Sequence, residues 1–261
     1  MTTLARGQSA PDAQPPVRRR VRPFVAAQAL FRVLKQKEST HEVFRLVNAL
    51  DGPSMERCFQ RFAASPTGAR VLQERRDLAR TLSDRAALAA LPEGSFGRAY
   101  LAFVTAEGLS AEGFQSEMAA SGERLDDLGE DRQRYILRVR HSHDLFHVLT
   151  GYGRDFVGEL SLLAFTRQHN LSRAFLLLCS FGRFKAQRDY PGLPIGACLR
   201  EGARLGRRAE PLLLADWEAL LPQPLAQVRR RLEIGVPRRY LGVKQAADLL
   251  DCRHREDLAT A

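Results

Sequence analysis

The segment that decides the fold runs from His143 to Glu159 and reads HDLFHVLTGYGRDFVGE. Within it, His143 and His147 are four residues apart. Residues at that spacing share one face of an α-helix, because the helix completes a turn in about 3.6 residues. Asp144 lies about 100° around the axis and can lean towards the same pocket. The spacing therefore predicts two imidazoles and a carboxylate close together on one helix.

Glu159 can join this group only if the chain turns back after the first helix. It lies twelve residues beyond His147, which on one continuous helix is roughly 18 Å away. Gly151 and Gly153 weaken the helix between them. Asp155 is suited to cap a second helix. We therefore predict a helix, a short loop and a second helix that packs back on the first and turns Glu159 towards the histidines.

The predicted second helix is apolar enough to be buried. Its apolar residues are Phe156, Val157, Leu160, Leu162, Leu163, Ala164 and Phe165. A carboxylate buried among such residues needs a cation or hydrogen-bond donors to stay charged. Mixed nitrogen and oxygen ligands suit Zn²⁺ or another divalent first-row ion better than Mg²⁺ or Ca²⁺. The predicted cofactor is therefore a divalent metal, preferably Zn²⁺, although histidines on apolar helices are more often ordinary core or surface residues.

Apolar residues recur at helical spacing through nearly the whole chain, and alternating strand patterns are essentially missing. The predicted fold is all-α: an irregular multi-helix single domain with the metal site between two consecutive helices. The predicted helices include residues 24–36, 39–50, 54–64, 84–90, 97–106, 110–118, 131–150, 156–168, 172–183, a helix ending near 208, 211–221 and 224–232. Glu-x-x-His spacing at Asp144–His147 and Asp251–His254 raises a two-metal bundle as a weaker alternative.

Charge and composition divide the chain into three parts. The 261 residues include 40 basic and 30 acidic side chains, a net charge of +10. Residues 1–23 hold five arginines and one aspartate, which leaves 35 basic and 29 acidic residues elsewhere, a net charge of +6. We predict a disordered Arg-rich tail over 1–23, a helical metal-binding domain over 24–240 and a variable C-terminal tail over 241–261. The excess charge is compatible with attraction to an anionic membrane surface or to nucleic acid, but a solvated, Arg-heavy surface is the preferred interpretation.

Several function classes find no support in the sequence. The four cysteines are scattered singly, so neither a zinc knuckle nor a disulfide framework is indicated. No signal-peptide core and no apolar run of membrane-spanning length is present. The Arg-rich start is similar in composition to a transit peptide but lacks a clear amphipathic pattern. Nucleic-acid motifs are missing, so no nucleic-acid partner is predicted. The expected location is intracellular and reducing.

The segment 143–159 resembles the HDxxH, eleven residues, E motif of the coenzyme Q biosynthesis protein 4 family, and its spacing fits without a gap. Two collinear segments are also similar to that family: LPEGSFGRAY at 91–100, and DWEALL at 216–221 with the residues that follow it to Arg229. The likeness covers roughly residues 26–240. It implies that His143, Asp144, His147 and Glu159 are metal ligands.

The resemblance also implies a role in ubiquinone synthesis. The expected reaction is oxidative decarboxylation at C1 of a polyprenylated 4-hydroxybenzoate precursor, in which a hydroxyl replaces the carboxylate. Expected partners are polyprenylated aromatic lipid intermediates, other ubiquinone biosynthesis proteins and a membrane surface, with a homo-oligomer left open. The expected location is the cytoplasmic face of the bacterial inner membrane, or the mitochondrial inner membrane in a eukaryote.

From the residues themselves, Arg138, Arg140 and Arg154 are candidate contacts for an anionic head group, beside the plainer alternative of surface charges. The leucine- and phenylalanine-rich helices at 156–165 and 174–182 are candidates to line a groove for the polyprenyl tail, beside an ordinary core role. Two other functions stay open. One is a non-catalytic lipid-binding scaffold with a structural metal. The other is a metal-dependent phosphohydrolase. This hypothesis is weak, because such enzymes need a separate upstream histidine and the only candidate, His41, is distant in sequence.

Overall fold

A computed structural model of the chain describes residues 21–35, 40–109 and 128–248. Within these ranges the chain is helical and forms no β-strand, only an isolated bridge between Ser95 and Pro224. The all-α prediction is confirmed. The helices are α1 (Pro23–Lys35), α2 (Thr40–Leu50), α3 (Gly52–Ala63), α4 (Pro66–Gln73), α5 (Leu78–Ser83), α6 (Arg85–Ala90), α7 (Phe96–Ala106), α8 (Glu130–His141), α9 (His143–Thr150), α10 (Phe156–Asn170), α11 (Arg173–Asp189), α12 (Ile195–Arg208), α13 (Trp217–Leu220) and α14 (Leu225–Arg231). A 3₁₀ turn (Leu212–Leu214) precedes α13, and residues 238–248 are also helical.

Many of these helices begin where a polar side chain caps them. The side chains of Ser65, Asp84 and Asp155 accept hydrogen bonds from backbone N–H groups in the first turns of α4, α6 and α10. Such a bond satisfies one of the N–H groups that have no partner inside the helix. Asp216 does the same for α13, so the single helix predicted over 211–221 is in fact a 3₁₀ turn followed by one short helix.

The long helix predicted over 131–150 is also wrong in one respect, because it breaks at Ser142. This residue ends α8 and begins α9. Its hydroxyl donates to the carbonyl of Val139, at 2.8 Å, an alternative that serine offers to the helical backbone. The break separates the helix that carries the histidines from the helix before it.

The centre of the molecule is the crossing of α10 and α12. A Cβ added at Gly202 would lie 2.5 Å from the carbonyl oxygen of Ser161, and one added at Gly206 would lie 2.3 Å from that of Phe165. Both distances are shorter than side chains tolerate, so the two backbones approach this closely only because α12 carries glycine at both positions. His169 of α10 contacts the carbonyl of Gly206 at 2.9 Å. This contact fixes where α10 lies.

The folded region continues past the expected domain boundary at residue 240. That boundary falls inside the helical stretch 238–248, and the side chains of Tyr240 and Val243 are buried. The expectations for residues 1–20, for the helix at 110–118 and for Asp251 and His254 lie outside the described residues. In the ranges that are described, none of the helices is both long and apolar enough to cross a membrane.

The α10–α12 crossing leads to a stability prediction. Gly206→Ala places a methyl group against a backbone carbonyl that has no room to move, so we expect it to lower the free energy of unfolding by about 1–3 kcal/mol. Gly196→Ala, on the same helix, is the matched control, because the added carbon meets only the flexible side chain of Arg183. Urea denaturation of both variants checks this; equal stabilities would contradict it.

Candidate metal centre

Two helices and one tight loop bring the candidate ligands together. Helix α9 ends at Gly151, whose φ of +78° is a conformation that glycine adopts without strain. The Arg229 guanidinium donates to the carbonyls of Val148 and Leu149 in the last turn of α9. After the loop, α10 begins at Phe156 and carries Glu159 in its first turn. The predicted helix–loop–helix arrangement is confirmed.

His143, His147 and Glu159 converge on one point. Each offers one ligand atom, and these atoms all lie within 4.8 Å of one another. The Nε2 atom of His147 lies 3.4 Å from Oε1 of Glu159, and Nε2 of His143 lies 3.7 Å from its Oε2. Atoms that bind one zinc ion at about 2.0–2.2 Å in a tetrahedron lie roughly 3.3–3.6 Å apart. The three side chains therefore stand at nearly the spacing that a shared small cation requires.

His147 is the most constrained of the three. Its Nδ1 lies 3.0 Å from the carbonyl oxygen of Tyr152. A carbonyl can only accept, so Nδ1 carries the proton and Nε2 of the neutral ring carries a lone pair. The residue is 1 % exposed, and Nε2 is buried without a hydrogen-bond partner. The ring stacks on Phe103, with centroids 5.7 Å apart. The Nε2 lone pair therefore faces the Glu159 carboxylate.

Asp144 takes a different position from the other three. Its Oδ1 lies 3.6 Å from Nδ1 of His143. Burial disfavours the charged form of Asp144, but its hydrogen bond and charge interaction with His143 prevail and lower its pKa. For Glu159 too, burial opposes ionisation, and the two imidazoles with Arg154 prevail and lower the pKa. The pKa of His143 is raised, because the two carboxylates outweigh its burial. The cluster therefore stabilises positive charge.

The donor set fits a divalent first-row ion. Two imidazole nitrogens and one carboxylate oxygen are a ligand set that zinc enzymes use, with a further position left for water or substrate. The buried Nε2 of His147, which has no hydrogen-bond partner, fits a metal ligand because its lone pair is free to bind a cation. His147, His143 and Glu159 would hold the ion. Asp144 could either bind it directly or orient His143 from behind.

The three candidate arginines have different surroundings. Arg138 is buried and binds Glu218 through both Nη atoms, at 2.7 Å each; these contacts point to a structural role in place of the predicted substrate contact. Arg140 is also buried. Arg154 acts on the centre through its charge: after the hydrogen bond and charge of His143 and the charge of His147, which outweigh burial, it further lowers the pKa of Asp144. It also lies 3.9 Å from Glu107.

The sequence did not predict that α7 lines one side of the candidate metal centre. Tyr100 and Phe103 lie three residues apart on this helix, so both can face the centre. Phe103 stacks on His147, and burial together with the Asp144 charge raises the pKa of Tyr100. The spacing of the apolar residues predicts that α7 has a buried face, but it does not predict which helix that face packs against.

The loop between α9 and α10 is fastened by a residue from far along the chain. The buried Tyr240 hydroxyl accepts a hydrogen bond from the Gly153 N–H at 2.8 Å and donates to Asp155, the residue that caps α10. Its ring packs edge-on against Tyr152, with centroids 5.2 Å apart. Tyr240 thus holds the carbonyl that orients His147 and the cap that starts the helix of Glu159.

Replacing Tyr240 tests this fastening. We expect Tyr240→Phe to lower the free energy of unfolding by about 1–2 kcal/mol, because the Gly153 N–H and the Asp155 carboxylate lose their shared partner. Hydrogen exchange at the Gly153 amide should become faster. Tyr152→Phe is the matched control: its hydroxyl is buried without a hydrogen-bond partner, so its removal should change stability by less than about 0.5 kcal/mol. Equal effects would contradict the assignment.

Comparison with known proteins identifies a family match over most of the chain. Residues 13–238 match the family described as coenzyme Q (ubiquinone) biosynthesis protein Coq4. The chain is 32 % identical over 172 residues to the mitochondrial ubiquinone biosynthesis protein COQ4 homolog of Bos taurus, an alignment that covers 66 % of this chain and 62 % of that protein. It is 28 % identical over 193 residues to the mitochondrial COQ4 protein of Pyricularia oryzae, covering 74 % of this chain and 58 % of the relative.

A solved structure matches in fold. A crystal structure of a protein from Nostoc punctiforme superimposes with a TM-score of 0.59 at 21 % identity, covering 83 % of this chain and 100 % of that one. This likeness supports the fold alone. The chain spans about three fifths of the length of the curated relatives it matches.

Proposed function

This chain belongs to the coenzyme Q (ubiquinone) biosynthesis protein Coq4 family, and from that premise we propose that it acts in ubiquinone synthesis as a metal-dependent enzyme. The observation that carries the proposal is the convergence of His143, His147 and Glu159 within 4.8 Å, with a buried lone pair on His147. The proposed cofactor is a divalent ion, with Zn²⁺ best suited to the ligands.

The proposed reaction is oxidative decarboxylation at C1 of a polyprenylated 4-hydroxybenzoate precursor. The ring–carboxylate bond breaks, CO₂ leaves, and a hydroxyl takes its place. This removes two electrons from the substrate, so the reaction includes an external two-electron oxidant. A bound divalent cation would orient the benzoate oxygens and stabilise negative charge on the ring.

The chain's own residues would position the substrate and exclude water. Arg154 lies at the edge of the centre and can meet a carboxylate or phenolate, although Glu107 shares its charge. Phe103 covers the His147 ring and excludes water from that side. Asp144 would hold the Nδ1 proton of His143, which leaves the Nε2 lone pair for the cation.

The polyprenyl tail needs an apolar surface. On α10, Val157 and Leu160 are buried in the core and not left for a ligand. On α11, three large apolar side chains remain exposed: Leu176, Phe181 and Phe184. We propose that this exposed face of α11 contacts the lipid tail and the membrane surface, since apolar side chains beside basic ones are typical of interfacial helices. It carries Arg183, Lys185 and Arg188 beside them.

The same exposed face supports a second candidate function. A non-catalytic scaffold would use α11 to hold lipid intermediates and partner enzymes. The metal would then only stabilise the fold. The proposed partners are other ubiquinone biosynthesis proteins in either case. The proposed location is a membrane surface; the eukaryotic relatives from Bos taurus and Pyricularia oryzae are named mitochondrial. If the protein is eukaryotic, we propose that it lies at the inner mitochondrial membrane. If it is bacterial, we propose the cytoplasmic face of the inner membrane.

Metal content tests the centre directly. We expect His147→Ala and Glu159→Gln to lower bound Zn²⁺ or Co²⁺ at least about tenfold, because each removes a ligand. Equilibrium dialysis with elemental analysis measures this. Glu107→Gln is the matched control, since it removes a nearby carboxylate outside the centre. Metal retained by both ligand variants would refute the proposal.

Asp144→Asn separates the two roles open to Asp144. If the carboxylate orients His143, affinity should fall by about 10–100-fold while the visible spectrum of the Co²⁺-loaded protein is kept. If the carboxylate is a fourth ligand, the spectrum itself should change.

Complementation separates the catalyst from the scaffold. In a strain that lacks this step, wild-type protein should restore ubiquinone. We expect His147→Ala and Glu159→Ala to accumulate the carboxylated precursor while the other pathway enzymes stay assembled. Loss of the whole assembly in both variants would favour the scaffold. Mass spectrometry of lipid extracts and co-purification of the partner enzymes supply the two readouts.

A further inference from the structure

A polar cleft, separate from the candidate metal centre, lies between α12 and the helical stretch 238–248. It encloses about 280 Å³ and is lined by one alanine, one glutamate and three arginines. The lining residues are Ala197, Arg200, Glu201, Arg204 and Arg239. Arg200 and Arg204 are four residues apart on α12, so they share one face, while Arg239 comes from the helical stretch 238–248. Three arginines from two elements therefore line one concave surface that shares no residue with the candidate metal centre.

The glutamate in this cleft is already used by the fold. Glu201 is buried, and its Oε2 accepts hydrogen bonds from the backbone N–H groups of Arg239 and Tyr240, at 2.8 and 3.4 Å. It thereby caps the start of the helical stretch 238–248. Its other oxygen lies 3.9 Å from the Arg204 guanidinium, a distant pair with an exposed partner. Glu201 is a structural residue and offsets only one of the three positive charges.

The other two guanidinium groups have no carboxylate partner. Within the described ranges, the Arg200 and Arg239 side chains make no ion pair. The lining therefore carries a net charge of +2. Two buried arginines of this protein are paired with carboxylates, Arg138 with Glu218 and Arg132 with Glu56. The unpaired arginines of a concave surface leave N–H donors in a fixed fork geometry for an anion.

The surroundings of the cleft are basic and partly apolar. A Cβ added at Gly196 would lie 2.9 Å from Nε of Arg183, so the Arg183 side chain covers the turn of α12 that leads into the cleft. Val236 and Leu241, on either side of Arg239 in sequence, are 62 % and 46 % exposed. Exposed apolar side chains in the same segment as basic ones are typical of surfaces that contact anionic lipids.

We propose that this arginine cleft is an anion-binding site for a phosphate group. Guanidinium groups bind phosphate oxygens in pairs of parallel hydrogen bonds, and three arginines line this cleft. The volume is at the lower end for a ligand pocket, which suits a phosphate head group better than a nucleotide. The phosphate belongs either to a membrane phospholipid, which the exposed Val236 and Leu241 near Arg239 in sequence favour, or to a small soluble molecule.

A pair of double variants tests the site. Arg200→Gln with Arg204→Gln removes two charges from the cleft. Arg207→Gln with Arg208→Gln removes two exposed charges from the same helix outside the lining, and is the matched control. Inorganic phosphate is titrated into full-length protein by calorimetry at constant ionic strength. We expect the cleft variant to bind phosphate at least about tenfold more weakly than the wild type, and the control to bind like the wild type.

A second experiment, with lipid vesicles, identifies the source of the phosphate. Co-sedimentation is measured with vesicles of phosphatidylcholine alone and of phosphatidylcholine containing about one third phosphatidylglycerol. If the phosphate belongs to a lipid, the cleft variant loses binding to the anionic vesicles and the control does not. If both variants sediment equally while only the cleft variant loses inorganic phosphate, the site is supported and its ligand is a soluble phosphate compound.

Two results would overturn the proposal. One is equal loss of phosphate binding in the cleft and control variants, which would mean that net charge alone is responsible. The other is no binding of either probe by the wild type. Arg239→Gln is an independent check if the double variant folds poorly, because only the backbone N–H of Arg239, not its side chain, bonds Glu201. It should weaken phosphate binding and leave the melting temperature unchanged.

Discussion

The arrangement of the candidate centre depends on one hydrogen bond, between Nδ1 of His147 and the carbonyl of Tyr152. This bond assigns the proton to Nδ1 and so leaves Nε2 as an acceptor. In water that lone pair would be solvated, but the residue is fully buried and faces the Glu159 carboxylate. Two acceptors that face each other at this distance are stabilised when a proton or a cation lies between them. The backbone conformation of the loop therefore sets which atom of His147 is offered to a shared cation in the proposed metal centre.

Much of the fold works to hold that loop and the start of α10. Tyr240 bonds the loop at Gly153 and at the cap residue Asp155, and Arg229 satisfies the carbonyls at the end of α9. The close approach of α12 at Gly202 and Gly206 then sets the position of α10. Residues on three separate parts of the chain thus determine the distance between the imidazoles and the carboxylate. A centre positioned by rigid helices in this way is more accurate than one carried on loops alone.

The sequence predicts which candidate side chains come together better than it predicts what orients them. Spacing on a helix places His143 beside His147, and the glycines with Asp155 predict the turn that returns Glu159. These are local effects of backbone geometry and capping, so they can be deduced from a short segment. Tyr240 lies 81 residues beyond Glu159, and no local pattern links the two. No local pattern links Arg138 to its partner Glu218 either, because the two are distant in sequence. The position of Arg138 near the motif therefore did not indicate that its side chain forms a buried ion pair.

The centre and the arginine cleft lie at opposite ends of one chain of contacts. Glu201 bonds the backbone of Tyr240, the Tyr240 hydroxyl bonds the loop, and the Tyr152 carbonyl orients His147. Energetic coupling between two sites requires an element with two discrete arrangements that both sites bias. Here the connecting groups are buried, and one carboxylate and one hydroxyl each serve two partners, so a shift at either end would leave buried donors unsatisfied. The chain of contacts therefore joins the arginine cleft to the candidate centre through buried groups whose hydrogen bonds depend on one another.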